Sequence, residues 1–148
     1  MSKPIWIFPF TSADVNERAK NTLSDYLRIE FIEVGSHHLT ARMPITASVL
    51  QPMGVVHGGA TAALAETVAS AAANYCVNLT QVCVGLELNI NHFRPVSTGY
   101  VEAVTMPLHL GKTTQVWEIK IYNEHKKLVS AARLTLAIID RPSQKKTG

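Results

Sequence analysis

Cysteine is scarce in this sequence: two residues in 148, at positions 76 and 83. That number and spacing exclude a disulfide framework and every common zinc or dithiol redox motif, so both are expected as reduced, packed side chains. Charge is sparse as well. Asp, Glu, Lys and Arg make up 17% of the chain, against about 25% in an average soluble domain. The net charge of +3 includes Arg141, Lys145 and Lys146 of the terminal "RPSQKKTG". No basic stripe interleaved with aromatics is present, which argues against a nucleic-acid surface. Also missing is any apolar run of about 18 residues that could cross a bilayer. The opening "MSKPIWIFPFTSAD" is apolar but too short and too interrupted by proline for a signal peptide, so a cytoplasmic location is expected. No internal repeat or low-complexity tract divides the chain. The length suits one domain, taken as residues 1–140, followed by a solvated basic tail at 141–148.

What is present is a clear order of elements. Thr11 with Asp14 three residues on forms a capping-box pattern, and Val15, Ala19, Leu23 and Tyr26 recur at helical spacing. "RIEFIEV" (28–34) and "HLTARMPI" (38–45) read as two strands across a Gly35-Ser36 turn. Residues 46–57 read as loop, since Pro52 and Gly54 disfavour a regular element. A long helix follows from 58 to about 77, with eight alanines between Ala60 and Ala73. A cylinder of such small residues can be approached closely on nearly every side. Four strands complete the chain: 81–93, 99–110, 113–123 and 127–140. In the first of these, Val82, Val84, Leu86, Leu88 and Ile90 alternate against Gly85, Glu87, Asn89 and Asn91. Pro107 predicts a bulge or an edge. The economical arrangement is α+β, one curved antiparallel sheet wrapped around the small-residue helix.

The helix carries one acidic residue, Glu66. Isolated carboxylates are costly in an apolar setting. Glu66, Ser70 and Asn74 stand four apart and form a single polar stripe. The bland reading is a polar edge emerging at the surface. Against it stands the helix start, "HGG", where His57, Gly58 and Gly59 offer unpaired amides and the positive dipole end to an oxyanion. Gly58 and Glu66 are separated by about 12 Å of helix at 1.5 Å per residue. One chain's Gly58 amide and its own Glu66 therefore cannot easily serve one carbonyl. Two chains related by a twofold axis could.

The run Gln51-Pro-Met-Gly-Val-Val-His57-Gly-Gly-Ala, with Glu66 and Ser70 behind it, then "VGLELNINHFRPV" and "PLHLG…QVWEIKI", closely resembles the hotdog-fold acyl-CoA thioesterases of the phenylacetate-type family. Within them it is most similar to the 1,4-dihydroxy-2-naphthoyl-CoA thioesterase and enterobactin proofreading thioesterase group. The resemblance covers roughly residues 25–140. Met53 departs from it, standing where close relatives often carry phenylalanine. The resemblance implies a hydrolase that cleaves an aryl- or hydroxyaryl-CoA thioester to free acid and CoA. It implies Glu66 as nucleophile or general base, and the Gly58 amide as the group polarising the carbonyl. Gln51 and His57 would help position the thioester, Ser70 would orient Glu66 or water, and His92 would line the cleft. No metal or other cofactor is implied, coenzyme A being part of the substrate. A homo-oligomer is implied, a dimer at least and a dimer of dimers by family likeness.

Coenzyme A would also need partners for its phosphates and pantetheine arm. Candidates are His92, Phe93, Arg94 and Pro95, together with the turn His109, Leu110, Gly111, Lys112, Thr113 and Thr114. These supply cationic side chains and turn amides. Gly85 would leave room for the pantetheine arm, while Arg133 reads equally well as a sheet-surface charge. Met53, Val68 and Phe93 are candidates for lining the acyl pocket. Two enzymatic or binding alternatives remain: a hotdog-fold enoyl-CoA hydratase or dehydratase, and a non-catalytic acyl-CoA binder. A hydratase relative usually carries a proline-rich motif after its histidine, where this chain has glycines. A purely structural oligomerisation module leaves Glu66 unexplained.

Overall fold

The computed structural model describes residues 2–143. The elements are α1 (Ser12–Ala19), α2 (Leu23–Tyr26), β1 (Glu30–Val34), β2 (Leu39–Pro44), α3 (Gly58–Asn74), β3 (Gln81–His92), β4 (Tyr100–Leu110), β5 (Thr114–Asn123) and β6 (Leu128–Asp140). The six strands form one antiparallel sheet in the order β1-β2-β4-β5-β6-β3, and α3 packs against β2 to β6. The expected single sheet on a central helix is thus found.

The core explains why the long helix is so rich in alanine. Leu64, Ala65, Val68, Ala69, Ala72 and Ala73 are fully buried against Leu39, Met43, Trp117, Ile119, Ile121, Leu134 and Leu136. Small residues on α3 let it sit close to the sheet, so the sheet contributes the large side chains. Trp117 Nε1 donates to Gln115 Oε1 at 2.8 Å, which satisfies an indole that burial would otherwise strand, whereas the buried Tyr75 hydroxyl has no partner among the described residues. Val68, a candidate pocket residue, belongs to this core and faces no open cavity.

The N-terminal pattern is corrected. The capping box at Thr11 and Asp14 is formed, but the helix ends at Ala19 because Asn21 takes a left-handed backbone (φ 62°). Leu23 and Tyr26 then fall in the separate short α2 and are exposed, at 62% and 76%. The preceding apolar segment is a packed strap. Phe10 stacks on Tyr75 with ring centroids 3.6 Å apart, and Trp6 lies parallel to Trp117. The loop at 46–57 contains a 3-10 turn, Ala47–Val49, and a bridge between Leu50 and Val56. Arg141, assigned to the tail, is anchored: its guanidinium donates to the carbonyls of Leu79 and Gln81. Lys145 and Lys146 lie outside the described residues.

The most consequential departure is in β3. Its alternation was expected to run unbroken, yet Gly85 pairs with Leu136 and Glu87 with Thr135, leaving Leu86 as an extra residue. The facing residues Leu136, Leu134, Ala132 and Ser130 all lie on the inner face of β6. Because cross-strand partners share a face, Cys83 and Gly85 point inward before the bulge, and Leu88, Ile90 and His92 point inward after it. Leu86 is 62% exposed. A β-bulge reverses parity in this way. The bulge predicted at Pro107 is also present, between Pro107 and His109.

Burial pushes the Cys76 thiol up to about 12 and the Cys83 thiol up to about 11. At neutral pH both therefore stay protonated and poorly nucleophilic. The folded protein should react negligibly with a thiol-specific colour reagent at pH 7.5, and two thiols should appear on denaturation. Rapid labelling of the native protein would contradict the packing described.

Candidate active site

Two groups of residues form along α3, one at its N-terminus and one near its middle. The first is built at its N-terminus. His57 is the N-cap, and its Nδ1 accepts from the Gly59 amide at 2.8 Å. That bond needs an unprotonated Nδ1, so His57 acts here as a neutral cap. The next amide, that of Gly58, has no acceptor among the described residues. It stands at the positive end of the 17-residue helix.

Gly58 is also where the histidine of β3 arrives. A β carbon at Gly58 would lie 2.9 Å from His92 Nε2. The opposite ring nitrogen, Nδ1, is 2.8 Å from Ser130 Oγ on β6, which fixes the imidazole against the helix start. Ser130 was not anticipated. Its role depends on the β3–β6 register, which a single sequence does not reveal. Gln51 completes this group from a tight turn: Gly54 (φ 80°) donates to the Gln51 carbonyl, and the Met53 amide donates to Gln51 Oε1. Gln51, Gly58, His92, Phe93, Arg94 and Pro95 line one cleft of ≈ 300 Å³, joined by Thr61 and Val129. His57 lies outside that lining, in keeping with a capping role. Met53 and Phe93 are 82% and 59% exposed.

The second group lies two turns along the helix. Glu66 is exposed in the single chain and reaches over β3 to Gly85, where a β carbon would stand 2.5 Å from its Oε1. Gly85 therefore accommodates the Glu66 carboxylate within one chain. Ser70 and Thr67 line a separate cavity of ≈ 390 Å³ between α3 and α1, walled by Val15, Ala19, Phe31, Ala71 and Tyr75. Asn74, third in the polar stripe, is committed to structure. Its amide donates to the Ser70 and Cys83 carbonyls and its Oδ1 accepts from the Cys83 amide. The turn His109–Thr114 sits on the Gly85 side of the sheet, since Thr114 and Val84 both pair with Ala137 and the Ile138 amide donates to the Thr113 carbonyl.

The chain does not bring all candidate residues together. Ser130, beside His92, and Ala137, beside Thr114, are seven residues apart on β6, roughly 23 Å at 3.3 Å per residue. Arg94 and Lys112 therefore cannot share one phosphate within a chain. Gly58 and Glu66 are likewise split by two helical turns, as their spacing requires. Arg133 is exposed on the sheet. Among the described residues no group of three His, Cys, Asp or Glu converges as a metal site would need, and no helix is long and apolar enough to cross a membrane.

Known proteins share this sequence and architecture. A family model described as the thioesterase superfamily matches residues 53–130, a span that includes Glu66, Gly58, Gly85 and His92. The 1,4-dihydroxy-2-naphthoyl-CoA hydrolase of Escherichia coli is 40% identical over 135 residues, covering 91% of this chain and 99% of that one. A proofreading thioesterase of Cronobacter turicensis is 41% identical over 135 residues, covering 91% and 98%. The crystal structure of a thioesterase from Haemophilus influenzae superposes with a TM-score of 0.90 at 38% identity, covering 97% of this chain and 99% of that one.

Replacing His57 with alanine removes the helix cap and should lower unfolding free energy by about 1 kcal/mol, the usual worth of such a cap. Asparagine at this position, which can also accept from the Gly59 amide, should recover most of the loss in denaturant melts. Equal destabilisation by both substitutions would argue against capping.

Proposed function

The chain belongs to the thioesterase superfamily and is a thioester hydrolase with the hotdog fold, and from that premise we propose that it cleaves aryl- or hydroxyaryl-CoA esters at a site shared between two chains. The observation that carries this reading is the separation of the Gly58–His92 group from the Glu66–Gly85 group along one edge strand. Among the described residues β3 pairs only with β6, so its outer edge is open there. Open edges invite pairing with another chain.

An antiparallel pairing of two β3 strands about a twofold axis near Leu88–Asn89 runs one chain's His92 end beside the partner's Gly85 end. Each glutamate then faces the other chain's helix start. The same axis carries one chain's Arg94 toward the partner's Lys112 turn, which one chain alone keeps apart. Within this arrangement the thioester carbonyl accepts from the Gly58 amide, whose donor becomes more effective as negative charge develops on oxygen. The partner's Glu66 either attacks the carbonyl carbon or takes a proton from the attacking water. In the first route the C–S bond breaks to give a mixed anhydride, which water then opens. In the second, water oxygen bonds to carbon directly. Both routes end in a free acid, a CoA thiol and a regenerated carboxylate, with water as the only co-reactant. His92, held by Ser130, and Gln51 orient the thioester in the cleft.

The aryl preference is supported by the cavity beside Ser70. Its apolar wall of Val15, Phe31 and Ala71 suits a flat ring, and the Thr67 and Ser70 hydroxyls suit a ring substituent. Its ≈ 390 Å³ lies within the ordinary range for small-molecule sites.

Glu66→Gln should lower kcat on the order of a thousandfold or more with an unchanged melting temperature. Activity within tenfold of the wild type would refute the mechanism. Mixing and refolding Glu66→Gln with His92→Ala chains should restore about a quarter of the wild-type rate, because half of the sites in each mixed dimer draw both intact groups. No regain above either parent would place the whole site within one chain. In a panel of CoA esters, benzoyl-type thioesters should exceed straight-chain esters of equal carbon number about tenfold or more in kcat/KM. The reverse order would overturn the substrate class.

A further inference from the structure

No left-handed backbone requires glycine at 85. The glycines with such a backbone among the described residues are Gly54 and Gly99; Gly85 lies within the 12-residue β3, beside the bulge at Leu86. Glycine within a strand weakens it and leaves nothing to pack, so its presence calls for a local reason. Crowding by the fold does not supply one. The nearest atom of the fold to a β carbon there would be Leu134 Cδ1 at 3.7 Å, an ordinary contact. The one atom such a carbon would collide with is Glu66 Oε1, at 2.5 Å.

We infer that Gly85 is a positioning residue for the hydrolysis: the absent side chain is the seat on which the Glu66 carboxylate rests. The inference rests on Glu66 being the reacting carboxylate, and it assigns Gly85 a part in kcat. Glu66 is exposed in the single chain, and its three side-chain torsions would otherwise let the carboxylate sweep over several ångströms. Contact with the Gly85 backbone narrows that sweep. The bulge at Leu86 belongs to the same device. Gly85 and His92 are an odd number of residues apart, so without the extra residue they would point to opposite faces of the sheet. With it, one strand presents the glutamate's seat and the helix-start histidine to the same helix.

The test is a double-mutant cycle with steady-state kinetics. Gly85→Ala should displace the carboxylate by about an ångström and lower kcat on the order of a hundredfold, with KM changed by less than about threefold. Glu66→Asp withdraws the carboxylate by one methylene, beyond reach of the new methyl. On that background Gly85→Ala should change kcat by less than about threefold. A Gly85→Ala enzyme with near wild-type kcat, or an equal loss on both backgrounds, would overturn the inference. If Gly85→Ala fails to assemble, thermal melts of Glu66→Ala with and without Gly85→Ala decide the matter. Equal melting temperatures support the seat, whereas a further fall traces the need for glycine to packing and overturns it. An active Glu66→Ala enzyme would refute the proposed function separately, leaving these melts to judge the contact itself.

Discussion

Everything in this structure that bears on chemistry depends on how closely α3 approaches the edge strand β3. Asn74 ties the far end of the helix to Cys83, and at the two places that carry the candidate functional groups one partner is a glycine. At Gly58 the imidazole of His92 lies against the helix start; at Gly85 the carboxylate of Glu66 lies against the strand. A β carbon at either position would collide with the side chain that rests there and displace it. The alanines of α3 extend the same logic through the core, letting one slender helix lie against five strands. The price of that closeness is a helix with little apolar bulk of its own, offset by Trp117, Leu134, Leu136, Ile119 and Ile121 from the sheet.

The bulge at Leu86 makes the two contacts compatible. A regular strand would alternate Gly85 and His92 onto opposite faces, since their separation in sequence is odd. One unpaired residue restores a common face at the expense of exposing a leucine. A leucine left exposed on an open edge is a liability in a lone chain and an asset where another chain covers it. The device that aligns the candidate functional groups and the open edge proposed to accept a second copy are therefore the same stretch of β3.

Much of this was legible beforehand. The stripe Glu66–Ser70–Asn74, the "HGG" start and the separation of Gly58 from Glu66 follow from helical geometry alone, so the division of the site into two parts could be argued from spacing. The elements were legible because their periodicities are long and clean. Less legible were features created by pairing between distant segments. Ser130 beside His92 depends on the β3–β6 register. The break at Asn21 depends on one left-handed residue, through which the apolar spacing of Leu23 and Tyr26 carries on misleadingly. Gly85 was singled out for lacking a side chain, but which group fills the space depends on how α3 lies over β3.

The amino-acid sequence by itself determined the inventory and its axial distances: a capped, small-residue helix, one acid two turns from its start, and strands of known order. These follow from local stereochemistry, which acts over a few residues. Only the tertiary structure decided which face each β3 residue presents, because a single bulge inverts the parity of all that follows. It also decided that Asn74 staples β3, that Arg94 and Lys112 stand at opposite ends of β6, and that Glu66 lies over Gly85. Those outcomes come from long-range packing, where the positions of two segments are set by everything between and around them.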